Sequence, residues 1–156
     1  MANGLVIAAP HSGSGKTMLT LGLLTALTAR GIALAPAKAG PDYIDTALLS
    51  RVAGRPAANL DPWAMAPARL GGIAAAAGEG ADLLLVEGVM GLFDGAADGT
   101  GSTADIAAAL GLPVILVVDA SRQSQSVAAL VHGFASFRPG VRIAGRSRGA
   151  IGAAMG

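Results

Sequence analysis

Apolar residues fall along this chain in short aliphatic strings, separated by longer stretches rich in alanine and leucine. Residues 5–9, 32–38, 82–87 and 114–119 are compact strings of the kind that form strands buried on both faces. Between and beyond them, residues 16–30, 46–53, 103–110 and 124–137 read as helices. Gly31 closes the first, a Ser/Thr cap precedes residues 103–110, and Pro67 opens a further helix. This alternation predicts a doubly wound α/β domain, with a parallel sheet covered by helices on both faces. Residues 39–60, with their Gly, Pro, Asp and Asn, read as a functional loop holding only the short helix at 46–53. Residues 141–144 begin like one more strand, but the pattern breaks at Gly145-Arg146-Ser147-Arg148-Gly149. The expected organisation is one domain over residues 1–145 and an atypical tail over 146–156.

Composition narrows the classes. A chain of 156 residues with 53% hydrophobic and 13% charged residues has material for one well-packed core. Its net charge of +1 offers no basic surface, so nucleic acid is not an expected partner. No apolar string approaches the ~20 residues needed to cross a bilayer, and the opening Met-Ala-Asn-Gly lacks a charged leader. A cytoplasmic location without membrane contact is expected. Cysteine is absent, which excludes disulfides, thiolate metal sites and a cysteine nucleophile within this polypeptide.

The segment Ala9-Pro10-His11-Ser12-Gly13-Ser14-Gly15-Lys16-Thr17 follows a strand and opens a helix. In that context a Gly-rich turn aims successive backbone N–H groups at an anion, and the helix dipole adds a favourable field. Ser12, Gly13, Ser14 and Gly15 would wrap the phosphates, Lys16 would reach the β- and γ-phosphates, and the Thr17 hydroxyl would ligate Mg2+. ATP with Mg2+ is the expected ligand. Pro10 replaces the first glycine of the usual motif, while the residues that touch phosphate remain. Lysine occurs only at positions 16 and 38, against nine arginines, so both ammonium groups are expected to face nucleotide.

Ligands of an open parallel sheet collect at the carboxyl ends of its strands. There the sequence sets Lys38, the Asp42/Asp45 pair, Glu87, Asp94 and Asp119. Leu83-Leu84-Leu85-Val86-Glu87 reads as a strand ending in a metal-directed acid, and Asp119, after Leu116-Val117-Val118, competes for that role. Glu87 is favoured because the segment after it is Gly-rich and carries Asp94. Gly40-Pro41-Asp42-Tyr43-Ile44-Asp45 holds two acids around an aromatic, more than a turn requires. His11 is expected to line the nucleotide site and His132 to pack a helix.

Taken together, APHSGSGKT, KAGPDYIDT, GRPAANLDPWAM, VEGVMGLFDGAADGTGSTADIAAALGLPVILVVD and SQSVAALVHGF resemble the ATP-binding domain of the cobyrinic or hydrogenobyrinic acid a,c-diamide synthases, relatives of dethiobiotin synthetase. The resemblance covers about residues 5–145. It implies that ATP phosphorylates side-chain carboxylates of a corrinoid precursor and that ammonia, normally drawn from glutamine, then displaces phosphate. By that resemblance Thr17, Asp42 and Glu87 hold Mg2+, and Lys16 and Lys38 neutralise the γ-phosphate. Asp94, Tyr43, Ile44 and Asp45 face substrate, with Lys16, Lys38, Asp45 and Asp94 carrying the chemistry. Leu49 stands where many relatives have His, and Thr46 where many have Pro. The family continues past residue 145 with a strand ending in Asn-Arg and a glutamine amidotransferase domain, neither of which this sequence contains. A homodimer is the assembly left open. The alternatives are a P-loop switch or partitioning ATPase, against which His11 stands at that class's signature lysine position, and an inactive fragment.

Overall fold

The computed structural model describes residues 3–144. Five strands and five helices alternate in them: β1 (Gly4–Ala8), α1 (Lys16–Thr28), β2 (Leu34–Ala39), α2 (Tyr43–Ala53), β3 (Ala58–Leu60), α3 (Pro67–Ala77), β4 (Leu83–Glu87), α4 (Thr103–Leu110), β5 (Val114–Leu116) and α5 (Ser126–Ser136). The strands form one sheet in the order β3-β2-β4-β1-β5, and every neighbouring pair is parallel. This is the expected doubly wound α/β architecture.

Successive side chains of a strand point to opposite faces, and the two cores follow that rule. Val6 and Ala8 of β1, Ala35, Ala37 and Ala39 of β2, and Leu84 and Val86 of β4 enter one core with Leu70 of α3 and Ile106 of α4. Ile7, Leu34 and Leu85 enter the other, with Leu24 of α1 and Leu49 of α2. The small alanines of β2 leave room for α3 and α4 to lie close. Parity then decides where the polar residues point. Lys38 shares a face with Leu34, and Glu87 with Leu85, so both face the α1/α2 layer. They are also register partners across β2 and β4.

Local chemistry fixes the element ends. Asp42 accepts from the backbone N–H groups of Ile44 and Asp45, so α2 starts at Tyr43 instead of position 46. Ser102 and Asp105 form a capping box that starts α4, and Arg138 donates to Asp105 at 2.7 Å, tying the end of α5 to it. The expected loop 39–60 contains β3, which pairs with β2 through Ala37↔Ala58 and Ala39↔Leu60. β5 ends at Leu116, three residues short of the expected strand end. Residues 141–144 contribute a single parallel bridge, Val114↔Ile143. The expected tail, 146–156, lies outside the described residues. Among the described residues no helix is long and apolar enough to cross a membrane.

Leu49 is fully buried against Ile7, Leu24, Leu34 and Leu85. It therefore packs α2 onto the sheet and does not face a ligand. Leu49→Ala should cost about 2–5 kcal/mol of stability by opening a cavity beneath α2. Urea denaturation checks this: the midpoint should fall with the slope unchanged.

Candidate functional site

The site is assembled at the carboxyl ends of β1, β2 and β4. After β1 the chain turns through Gly13 (φ 81°) and Gly15 (φ 91°), left-handed positions that side chains disfavour, and enters α1 at Lys16. The Ser14 hydroxyl donates to the His11 carbonyl at 2.9 Å and braces the turn. Lys16 is buried, and its Nζ donates to the carbonyls of His11 (3.2 Å) and Met90 (2.8 Å). Ser12, Gly13 and Gly15 are exposed along the same turn.

Glu87 lies at the centre. Its side chain has no solvent exposure, and Oε1 accepts from the Thr17 hydroxyl and from Lys38 Nζ at 2.9 Å. Oε2 is buried and, among the described residues, has no hydrogen-bond partner. Lys38 Nζ also donates to Asp45 Oδ2 at 2.7 Å, so one ammonium bridges β4 and the first turn of α2. The Asn59 amide donates to the carbonyls of Gly40 and Asp42 and to the Thr46 hydroxyl, which holds the loop between β2 and α2 against β3.

The two lysines are electrostatically unlike. Burial pushes Lys16 below the ordinary lysine value, and repulsion from Lys38 adds to this against the pull of Glu87 and Asp94. Burial also opposes charge on Lys38, but hydrogen bonds to Asp45 and Glu87 outweigh it and raise that pKa. Lys38 is thus a satisfied cation, whereas Lys16 is a buried cation held only by carbonyls. An anion beside it, such as a phosphate, would stabilise its charged form.

Beyond β4 the chain presses against the phosphate turn. A Cβ on Gly91 would come within 2.5 Å of the Pro10 carbonyl oxygen, so only glycine fits. Asp94 Oδ2 accepts from the Gly91 N–H at 3.0 Å and pins this turn. Met90 has φ 50°, a left-handed conformation that costs a residue with a side chain. Tyr43 and Ile44 are exposed at the start of α2.

The structure thus brings together Lys16, Thr17, Lys38, Asp45 and Glu87. Asp42 uses Oδ1 to cap α2, Asp94 orders its own turn, and Asp119 accepts from the Ser121 N–H at an exposed turn. Among the described residues no three His, Asp or Glu side chains cluster as a metal cage. A Mg2+ ion nevertheless fits the donors present. It commonly takes one or two carboxylates and fills its shell with phosphate and water, and here the Thr17 hydroxyl adjoins a glutamate with an unpartnered oxygen. Sequence reasoning missed two participants, Asn59 and the Met90 carbonyl. Asn59 lies in a strand too short to be read, and a backbone carbonyl leaves no signature.

Residues 5–146 match the CobQ/CobB/MinD/ParA nucleotide binding domain. Hydrogenobyrinate a,c-diamide synthase of Rhizobium meliloti is 63% identical over 143 residues, covering 92% of this chain and 33% of that protein. The proteins of that name from Brucella anthropi and Streptomyces coelicolor are 61% and 56% identical, covering 91% and 90% of this chain and 33% and 29% of theirs. The chain therefore spans about a third of the length of these curated relatives. Among solved structures, the signal recognition particle 54 kDa protein of Aeropyrum pernix K1, in complex with GDP, aligns with a TM-score of 0.54 at 20% identity, over 77% of this chain and 29% of that one. That likeness is one of fold. With a Gly-rich turn at the head of α1, a buried acid closing β4 and a family match over nearly its whole length, the chain belongs to the CobQ/CobB/MinD/ParA nucleotide-binding domain family.

Proposed function

We propose that this chain is the carboxylate-activating part of an ATP-dependent, amide-forming ligase of corrinoid biosynthesis, acting on the a and c side chains of hydrogenobyrinic acid or its cobalt form. The observation that carries this reading is the 56–63% identity to hydrogenobyrinate a,c-diamide synthases over nine-tenths of the chain. The site's donor set supports it. In this reading residues 1–145 form the ATP-binding unit, and ammonia reaches it from a glutaminase domain.

The reaction proceeds in two transfers. A substrate carboxylate oxygen attacks the γ-phosphorus of ATP and ADP departs; ammonia then attacks the acyl carbon and inorganic phosphate leaves, giving the amide. Mg2+ would supply charge neutralisation at the phosphates. Lys16, relieved of its carbonyl partners by the incoming anion, offsets charge on the γ-phosphate, while the backbone N–H groups of residues 12–16 cradle the β-phosphate. Thr17, Asp42 and Glu87 would hold the metal. Lys38 also acts on the substrate: attached to both Asp45 and Glu87, it screens an anionic group from two carboxylates that would otherwise repel it. Tyr43, Ile44 and Asp94 lie on the substrate side of this arrangement in the proposal. The chemistry demands positioning and charge, not a protein nucleophile.

Incubating the chain with Mg-ATP, ammonium and hydrogenobyrinic acid tests the reading by mass spectrometry. One or two amidations are expected, and ATP hydrolysis with no mass change in the macrocycle would favour a switch ATPase instead. Lys16→Ala should weaken Mg-ATP binding by about tenfold to a hundredfold, the worth of a charge-assisted contact. Calorimetry measures it, and unchanged affinity would remove the phosphate-turn assignment. Glu87→Gln is nearly isosteric and should leave the fold intact while raising the Mg2+ concentration needed for half-maximal ATP turnover by about tenfold. Superimposable Mg2+ titrations would transfer the metal role to another acid.

A further inference from the structure

Trp63, the only tryptophan of the sequence, stands at the carboxyl end of β3 with 77% of its surface exposed. Its exposure does not come from a loose backbone. Asp61 Oδ1 accepts from the N–H groups of Trp63 (3.0 Å) and Ala64 (3.3 Å), and the Met65 N–H closes the turn on the Asp61 carbonyl at 2.9 Å. On its inner side the residue rests on Gly101, where a Cβ would come within 3.1 Å of Trp63 Cβ and 3.2 Å of Cδ1. Gly101 ends the segment that begins after Glu87 and contains Asp94. An indole held at its base and Cδ1 edge and otherwise exposed is a platform for an apolar ligand face.

The surroundings say what kind of ligand. β3, β2 and β4 are consecutive in the sheet, and each carries exposed apolar side chains just past its carboxyl end: Trp63 after β3, Tyr43 (78%) and Ile44 (83%) after β2, and Met90 (44%) after β4. The charged cluster of Lys38, Asp45 and Glu87 draws on two of these strands, β2 and β4, and on the first turn of α2. A ligand matching the row has a broad apolar body. From β3 to β1, which leads into the phosphate turn, there are three strand spacings, about 14 Å. That separation sets Trp63 apart from the phosphates and within reach of a macrocycle.

We propose that Trp63 is a specificity-determining residue for the substrate, its exposed indole stacking on the conjugated ring of a carboxylated tetrapyrrole-type macrocycle. This rests on the diamide-synthase reading above.

Because the chain holds one tryptophan, its fluorescence reports on this residue alone. Hydrogenobyrinic acid should protect it from acrylamide quenching, whereas Mg-ATP should leave quenching unchanged. Since the macrocycle's absorbance can quench from a distance, affinity is read independently from the ligand's own absorption shift in Trp63→Ala and Trp63→Phe. Trp63→Ala should bind the macrocycle about tenfold more weakly, Trp63→Phe should recover most of that loss, and both should keep wild-type Mg-ATP affinity and thermal midpoint. Equal macrocycle affinity in wild type and Trp63→Ala overturns the inference and leaves the diamide-synthase reading standing. A loss of Mg-ATP affinity in Trp63→Ala overturns it by reassigning the indole to the nucleotide. Failure of the wild-type chain to bind any macrocycle overturns both.

Discussion

A carboxylate with no access to water sits at the middle of this fold, and the arrangement around it follows from the need to hold that charge. Glu87 is buried by the sheet on one side and by α1 and α2 on the other. An isolated carboxylate there would be prohibitively unfavourable, and removing one partner of a buried pair costs about 3–5 kcal/mol. Lys38 from the neighbouring strand and Thr17 from α1 both satisfy it. Each comes from a different element, so the strand register, the start of α1 and the position of α2 through Asp45 are all tied to one oxygen atom. Among the described residues Oε2 lacks a partner, and in the proposed function it would be a donor to Mg2+.

The sequence disclosed the architecture because strands buried on both faces cannot avoid continuous apolar strings, and because caps such as Ser102 act locally. It disclosed less where structure depends on distant pairing. β3 has only Ala58, Asn59 and Leu60, a string without periodicity, and exists because β2 offers it an edge. β5 reads longer than it is, since Val117 and Val118 are as apolar as Ile115 yet leave the ladder after Leu116. The early start of α2 was legible in principle: Asp42 is a good cap, but the Gly-Pro before it and the Tyr and Ile after it suggested a loop shaped for ligand.

At the site the sequence could give residue types but not their allegiances. Spacing brought Lys38, Asp45 and Glu87 to the carboxyl end of the sheet, whereas only the folded arrangement reveals that Lys38 is already claimed by two carboxylates while Lys16 has none. Those identical side chains consequently differ in what an incoming anion can do for them. Asp42 and Asp94 show the reverse, acids in a promising segment whose bonds serve the backbone of their own turns.

The bond between Lys16 Nζ and the Met90 carbonyl makes nucleotide affinity a difference rather than a sum. A phosphate that takes this ammonium displaces a carbonyl, which must then find water or a new donor, and Met90 is freed from whatever part of its left-handed backbone that bond maintains. The turn between β4 and Asp94 and the phosphate turn are thus two claimants on one cation. By linkage, a ligand that fixes Met90 as it stands would weaken the hold on phosphate, and phosphate would weaken the hold on that ligand by the same factor. In the proposed function Met90, exposed among the apolar residues past the sheet, would carry contacts made with the substrate into the affinity for nucleotide.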